Sequence, residues 1–344
     1  MKQLEKIKDP VFKEKEFGPL DRFFLKFIRD KRDLPFIYLS LKITFTVVPM
    51  GLILYTDLLS GWQWFALAIF DLCLISLYFL GPFTLMLHNT SHRKFFKSEY
   101  YLLNNFIPWV LGPFMGQSPE SYFSHHIGMH HPENNLKDDK SCTMYYQRDN
   151  ILDFLTYYFR FLFIGLFELY AYLTSKNKTK MRRDLIKGEG FWYISAVLLS
   201  LINFKATLFV FILPLVIIRF GMMAGNWAQH AFIDHEDPAN NFTNSITCIN
   251  SVYNKRCFND GYHIGHHFHP AMHWTDMPGN FLKNVDKYAE NNAIVFEKLD
   301  YFMIWFYLMI GKYNWLANHF VNINHQHSSE EEVIALMKER TRRF

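Results

Sequence analysis

Two long apolar tracts constrain this chain more than any other feature. The first runs from Leu34 to Leu87, broken only at Thr56-Asp57 and Ser60-Gly61. The second runs from Gly190 to Trp227, broken near Asn203-Phe204-Lys205. A helical span needs roughly 20 residues to cross about 30 Å of hydrocarbon, so each tract is too long for one span and fits two. The pattern predicts two helical hairpins, with spans near 35–58, 62–87, 189–204 and 206–225. Aromatic residues make up 18% of the 344-residue chain, and such side chains favour bilayer interfaces. An apolar share of 50% excludes a disordered chain. A net charge of +4, carried by mixed signs, excludes a nucleic-acid partner. The four cysteines, Cys73, Cys142, Cys248 and Cys257, form no C-x-x-C, which argues against a disulfide framework or a zinc ribbon.

Residues 1–34 hold ten Lys/Arg and seven Asp/Glu and no early apolar core, so no signal peptide opens the sequence. Phe23, Phe24, Phe27 and Ile28 alternate there with Arg22, Lys26 and Arg29, as in an interfacial helix or a solvated one. The stretch Phe154 to Thr174 is apolar but carries Arg160 and Glu168, which are costly at mid-bilayer, and is expected in the interface with Tyr100 to Phe114. The hairpin loops offer at most Lys205, whereas the amino-terminal arm and the 88–188 segment are rich in Lys and Arg. The positive-inside rule then puts both termini and the histidines on the cytoplasmic face. Tyr301 to Ile310 is too short to span, and Ser328-Ser329 before Glu330, Glu331 and Glu332 reads as a helix start. The division expected is an arm over 1–34, a membrane domain over 35–278 and a helical carboxyl-terminal region over 279–344.

Histidine supplies the chemistry. Of sixteen histidines, thirteen lie between His88 and His273, in clusters. His88-Asn-Thr-Ser-His92 closes the second expected span, and its i, i+4 spacing puts both imidazoles on one helix face. His125-His126-Ile-Gly-Met-His130-His131 follows. Asn226-Trp-Ala-Gln-His230 stands where the last span ends, and His263-Ile-Gly-His266-His267 comes later. One helical histidine alone is an ordinary structural residue. Nine imidazoles in helical register at span ends are not a packing pattern. Imidazole suits Zn, Cu, Fe and Ni, and one structural zinc takes four ligands, so nine imply two metals. No Glu-x-x-His and no His-Glu-x-x-His occurs, which sets aside the carboxylate-bridged helical dimetal design and the common zinc protease.

With these motifs the chain resembles the membrane-bound fatty acid desaturase superfamily, the histidine-box non-haem di-iron enzymes, from about the first span to Pro278. Gly261-Tyr262-His263-Ile264-Gly265-His266-His267 is close to the third box of that family. The resemblance implies an all-α integral membrane fold, four spans under a cytoplasmic helical cap that holds two irons, and an enclosed acyl chain. It also implies O2 as co-substrate and an external electron donor of cytochrome b5 or ferredoxin type. Carried over by motif position, one metal takes His88, His230, His263 and His266, with Asn226 reaching it through water. The other takes His92, His126, His130, His131 and His267. His125, His235, His269 and His273 are candidates for orienting ligands. His319, His325 and His327 are expected to be unrelated surface residues.

The sequence departs from the pattern in two places. Desaturases acting on coenzyme A thioesters often have one more residue in the first box than His88 to His92 allows. The tail His267-Phe268-His269-Pro270 is also similar to the related membrane alkane hydroxylases, so hydroxylation of an alkyl or acyl chain is the alternative reaction. A metal transporter is a further alternative, but transporters place polar groups near the midplane, and here the clustered histidines lie at span ends or outside them. No G-x-G-x-x-G and no His-Pro-Gly-Gly haem motif occurs, so an external donor is expected.

Overall fold

The computed structural model describes residues 1–344, and 65% of them are helical. The chain forms two compact units, Lys13–Gly128 with Leu169–Phe220, and Met1–Phe12 with Met129–Glu168 and Gly221–Phe344. Residues 1–12 therefore belong with the carboxyl-terminal part and not with the rest of the arm. Three helical segments are long and apolar enough to cross a membrane: Lys31–Ile53, Gly61–His92 and Thr179–Gln229. The first ends at Ile53, short of the expected 58, and the last two expected spans lie within one 51-residue stretch.

In the first unit, Asp30 starts the first of these helices by accepting the backbone N–H of Arg32. Gly61–His92 buries Trp64, Ala68, Asp71 and Ile75, positions four, seven and eleven apart, as one inward stripe. Large apolar side chains point outward instead: Leu77 is 79% exposed and Leu201 80%. Rows of exposed Leu, Ile and Phe are unfavourable in water and suited to lipid. The third stretch is not straight. Asn203 leaves the helical region at φ −153°, ψ 93°, and its side chain accepts the N–H of Ala206 to restart the helix. Glu189 and Arg219 lie 3.4 Å apart, whereas 30 residues of continuous helix would separate them by about 45 Å. Lys205, next to the break, sits 3.8 Å from the centre of the Trp64 ring.

The segment that leads into the second histidine cluster is fixed against this stretch. Ser118 Oγ donates to Glu189 Oε1 at 2.6 Å. A Cβ at Gly188 would lie 1.8 Å from the carbonyl oxygen of Pro119. Backbone faces backbone there, so neither side can yield cheaply. Gly188→Ala is expected to destabilise the unit by about 3 kcal/mol, read as a lower thermal unfolding midpoint in detergent.

Phe154 to Thr174 breaks at Ile164 into helices Ile151–Phe163 and Gly165–Ser175. The longer covers only about 20 Å, too little to cross. The break also brings Arg160 and Glu168 to 2.6 Å, so the two charges that make the stretch costly in lipid pair with each other. The expectation of an all-α chain needs one correction. Thr247–Ile249 pairs in parallel with Val295–Glu297, Thr247 opposite Val295, and Phe320 bridges Phe296 on the other side. Residues 1–12 join this core, with Lys2 N–H bonding Phe320 O at 2.8 Å. Near the carboxyl end, Ser329 caps Glu330–Arg340 by accepting the N–H of Glu332, at the start the sequence marks.

Candidate metal centre

His230 follows the last turn of Thr179–Gln229 and is wholly buried. Its Nδ1 faces two acceptors, the carbonyl O and Oδ1 of Asn244, at 2.9 and 2.8 Å. Nδ1 must therefore carry the proton, and Nε2 presents a lone pair. Burial, then the neighbouring His130, pushes the pKa of His230 down to about 3, so the ring is neutral and ready to ligate. His130 is held in the same way, with Nδ1 donating to Asp139 Oδ2 at 2.7 Å. Asp139 is fixed in turn by the N–H and hydroxyl of Ser141, at 2.8 and 2.6 Å. An imidazole whose outer nitrogen is tied to a carboxylate or carbonyl keeps a fixed tautomer and a more basic inner nitrogen.

His263 and His267 complete the set from helix His263–Phe268, where the four-residue spacing stacks them on one face. That helix is placed by a tight turn before it. Gly261 N–H donates to Asn254 Oδ1, Cys248 N–H donates to Gly261 O, and Tyr301 OH also reaches Gly261 O. A Cβ on Gly261 would come within 2.4 Å of both Asn254 Oδ1 and the Cys248 carbonyl, so the motif requires glycine there. Tyr262 anchors its other side through Asp9 Oδ2 at 2.6 Å.

The ligand atoms of His130, His230, His263 and His267 all lie within 4.8 Å of one another. His263 Nε2 is 3.4 Å from His230 Nε2 and 3.0 Å from His267 Nε2. Ligand nitrogens about 2.1 Å from a first-row metal are about 3.4 Å apart in a tetrahedral site and about 4.2 Å apart when opposite. Four imidazoles at such separations, three of them buried and His267 partly so, fit a divalent cation. Burial and the surrounding imidazoles, His263 first, also hold the pKa of His267 well below its usual value.

The other predicted ligands are divided between the two units. In the first unit, His88, His92 and His126 converge, with His92 Nε2 and His126 Nε2 3.0 Å apart and the His88 and His126 rings 4.6 Å apart. Tyr122 stacks on His126 at 5.2 Å. In the second unit, His131 Nε2 and His266 Nε2 are 2.9 Å apart. This differs from the partition carried over by motif position. His130 and His267 join His230 and His263, while His266 turns to His131. Asn226 donates to Tyr157 OH at 2.7 Å and to Ser141 O at 3.1 Å, which ties it to the same Ser141 that steadies Asp139.

The four candidates for orienting ligands are placed unevenly. His125 ends helix Ser121–His125 and stands outside the ligand quartet. His235 pairs with Glu339 at 2.9 Å on the surface, and His269 is exposed. His273 is buried, but its Nδ1 accepts the N–H of Thr275 and caps the turn Trp274–Asp276. Two residues that do orient predicted ligands carry no signal in the sequence: Asp139, nine residues after His130, and Asn244, fourteen after His230. Asp139→Ala is expected to weaken metal binding by about 10–100-fold with the fold retained, measured by competition against a chelator.

Three helices long and apolar enough to cross a membrane and a histidine cluster that could hold a metal ion point to a membrane protein with a metal site. The family model for fatty acid desaturase matches residues 62–299, more than two thirds of the sequence, and the chain belongs to the fatty acid desaturase family. Membership implies an oxidoreductase whose substrate is a fatty acyl chain or a close relative of one. Neither the curated proteins nor the solved structures give a match.

Proposed function

We propose that this chain is an O2-dependent fatty acyl desaturase working through two non-haem irons, with electrons from an external donor of cytochrome b5 or ferredoxin type. The observation that carries the reading is the quartet His130, His230, His263 and His267, gathered within 4.8 Å and tied from behind by Asp139 and Asn244. One iron is held there, and the remaining imidazoles of the nine supply the second, with Asn226 acting through water. Bound iron supplies the oxidising power to take hydrogen from an unactivated methylene, which no side chain can do. The polypeptide orients the acyl chain, excludes water and keeps the ligand nitrogens unprotonated. Two hydrogens from the substrate, with two electrons from the donor and two protons, reduce O2 to water and leave a double bond.

The membrane domain, over 35–278, is proposed to cross four times as two hairpins, with both termini and the histidines on the cytoplasmic side. The break at Asn203 and the Glu189–Arg219 pair support the second hairpin, and the Lys and Arg content of the arm and of the 88–188 segment supports the orientation. Mass spectrometry of lipids from a host with a compatible donor tests the reaction. An acyl product lighter by two hydrogens is expected. A product heavier by one oxygen would instead make the enzyme a hydroxylase on the same scaffold.

A further inference from the structure

The helix that carries His263 and His267 has only six residues, His263–Phe268. Isolated helices shorter than about 12–15 residues are marginal in water, so its direction depends on what holds its first turn. Tyr262, the residue before it, makes no side-chain cap to this helix. Its hydroxyl instead donates to Asp9 Oδ2 at 2.6 Å, 253 residues away in the chain. Asp9 is only 5% exposed, and the same oxygen accepts the N–H of Asn250 at 2.7 Å.

The segment around Asp9 is itself fixed. Lys8 N–H donates to Asn250 Oδ1 at 2.6 Å, and Asn250 Nδ2 donates to the Lys6 carbonyl at 3.2 Å. Leu4 and Ile7 pack against the core cluster that contains Tyr262, Ile264 and Phe281. Pro10 O accepts Asn259 Nδ2–H at 2.7 Å, and Tyr262 N–H donates back to Asn259 O at 3.1 Å. Both ends of the turn Asn259–Tyr262 are thus tied to consecutive residues of the arm, Pro10 and Asp9. These two residues lie outside the stretch 62–299 that matches the family model. We propose that Asp9 is a positioning residue for the metal centre. Acting through Tyr262, it fixes the start of helix His263–Phe268 and thereby where His263 and His267 present their nitrogens. The inference rests on the metal-site reading above and adds to it a support supplied from the other end of the sequence.

Cobalt(II) binding to the full-length protein tests this, after metal removal with a chelator in an uncharged detergent under argon. Visible absorption reports the ligand field, and competition with a second chelator gives the affinity. The share of the signal that His263→Ala removes belongs to the quartet. In that share, Asp9→Ala should shift the bands and lower cobalt affinity about tenfold, the low end for a group that acts behind a ligand. Asp9→Asn should restore both, because its amide oxygen accepts from Tyr262 and Asn250 as the carboxylate does. Tyr262→Phe removes one hydroxyl and should reproduce the loss, with no further loss when Asp9→Ala is added. It also keeps the test decisive if Asp9→Ala does not fold. Cobalt affinity and bands unchanged in Asp9→Ala and Tyr262→Phe, even beside a lower thermal midpoint, overturn the positioning role and leave the metal site standing. Failure of the wild type to bind cobalt overturns both.

Discussion

His263→Ala is expected to strip iron from the buried quartet and abolish turnover. His263 Nε2 lies 3.4 Å from His230 Nε2 and 3.0 Å from His267 Nε2, so it is central to the set. Three imidazoles with an open position hold metal less well than four, and the two proposed irons would act as a pair. Iron should fall from about two per chain to one or less, on a ligand count of nine imidazoles. The fold should persist, because a smaller side chain in a polar recess admits water. Unchanged iron by elemental analysis would show that the quartet is packing and not a site.

Arg148→Met should have the largest effect on stability. The guanidinium is fully buried and donates to the carbonyls of Thr143, Met144, Tyr146, Ala231, Arg340 and Arg342. It thereby joins the loop after the second histidine cluster, the segment behind His230 and the carboxyl-terminal end. Burial lowers its pKa to about 10, still well above neutrality, so it stays charged in place. Methionine fills much of the volume but leaves those carbonyls without a donor, at a cost of about 3–5 kcal/mol. Thermal unfolding should begin much earlier, and iron loss should accompany it, because Ala231 follows His230 directly.

The parts of this architecture that repeat along one helix were legible in the sequence. Apolar length marked the membrane-competent segments, Asn203 marked the break between the last two, and four-residue spacing marked His88 with His92 and His263 with His267. Contacts that join distant segments left no local trace. Asp139 reaches its histidine from a turn and Asn244 from the end of the four-residue helix Asn241–Asn244, where a single polar residue looks like any other. The pairing of Thr247–Ile249 with Val295–Glu297 links two three-residue strands far apart in the chain, too short for an alternating pattern. Arg160 and Glu168 would stand about 12 Å apart on a straight helix, and only the break at Ile164 lets them meet. Which imidazoles gather together was beyond motif spacing for the same reason. His266 and His267 are adjacent in sequence, yet on a helix adjacent side chains point about 100° apart and serve different neighbours.

The most direct test of the central claim is the metal content of the purified wild-type protein, with Mössbauer spectra of material grown on enriched iron. The account predicts about two irons per chain in nitrogen-rich, high-spin sites, as nine imidazole ligands require. Stoichiometric zinc with no iron would contradict it.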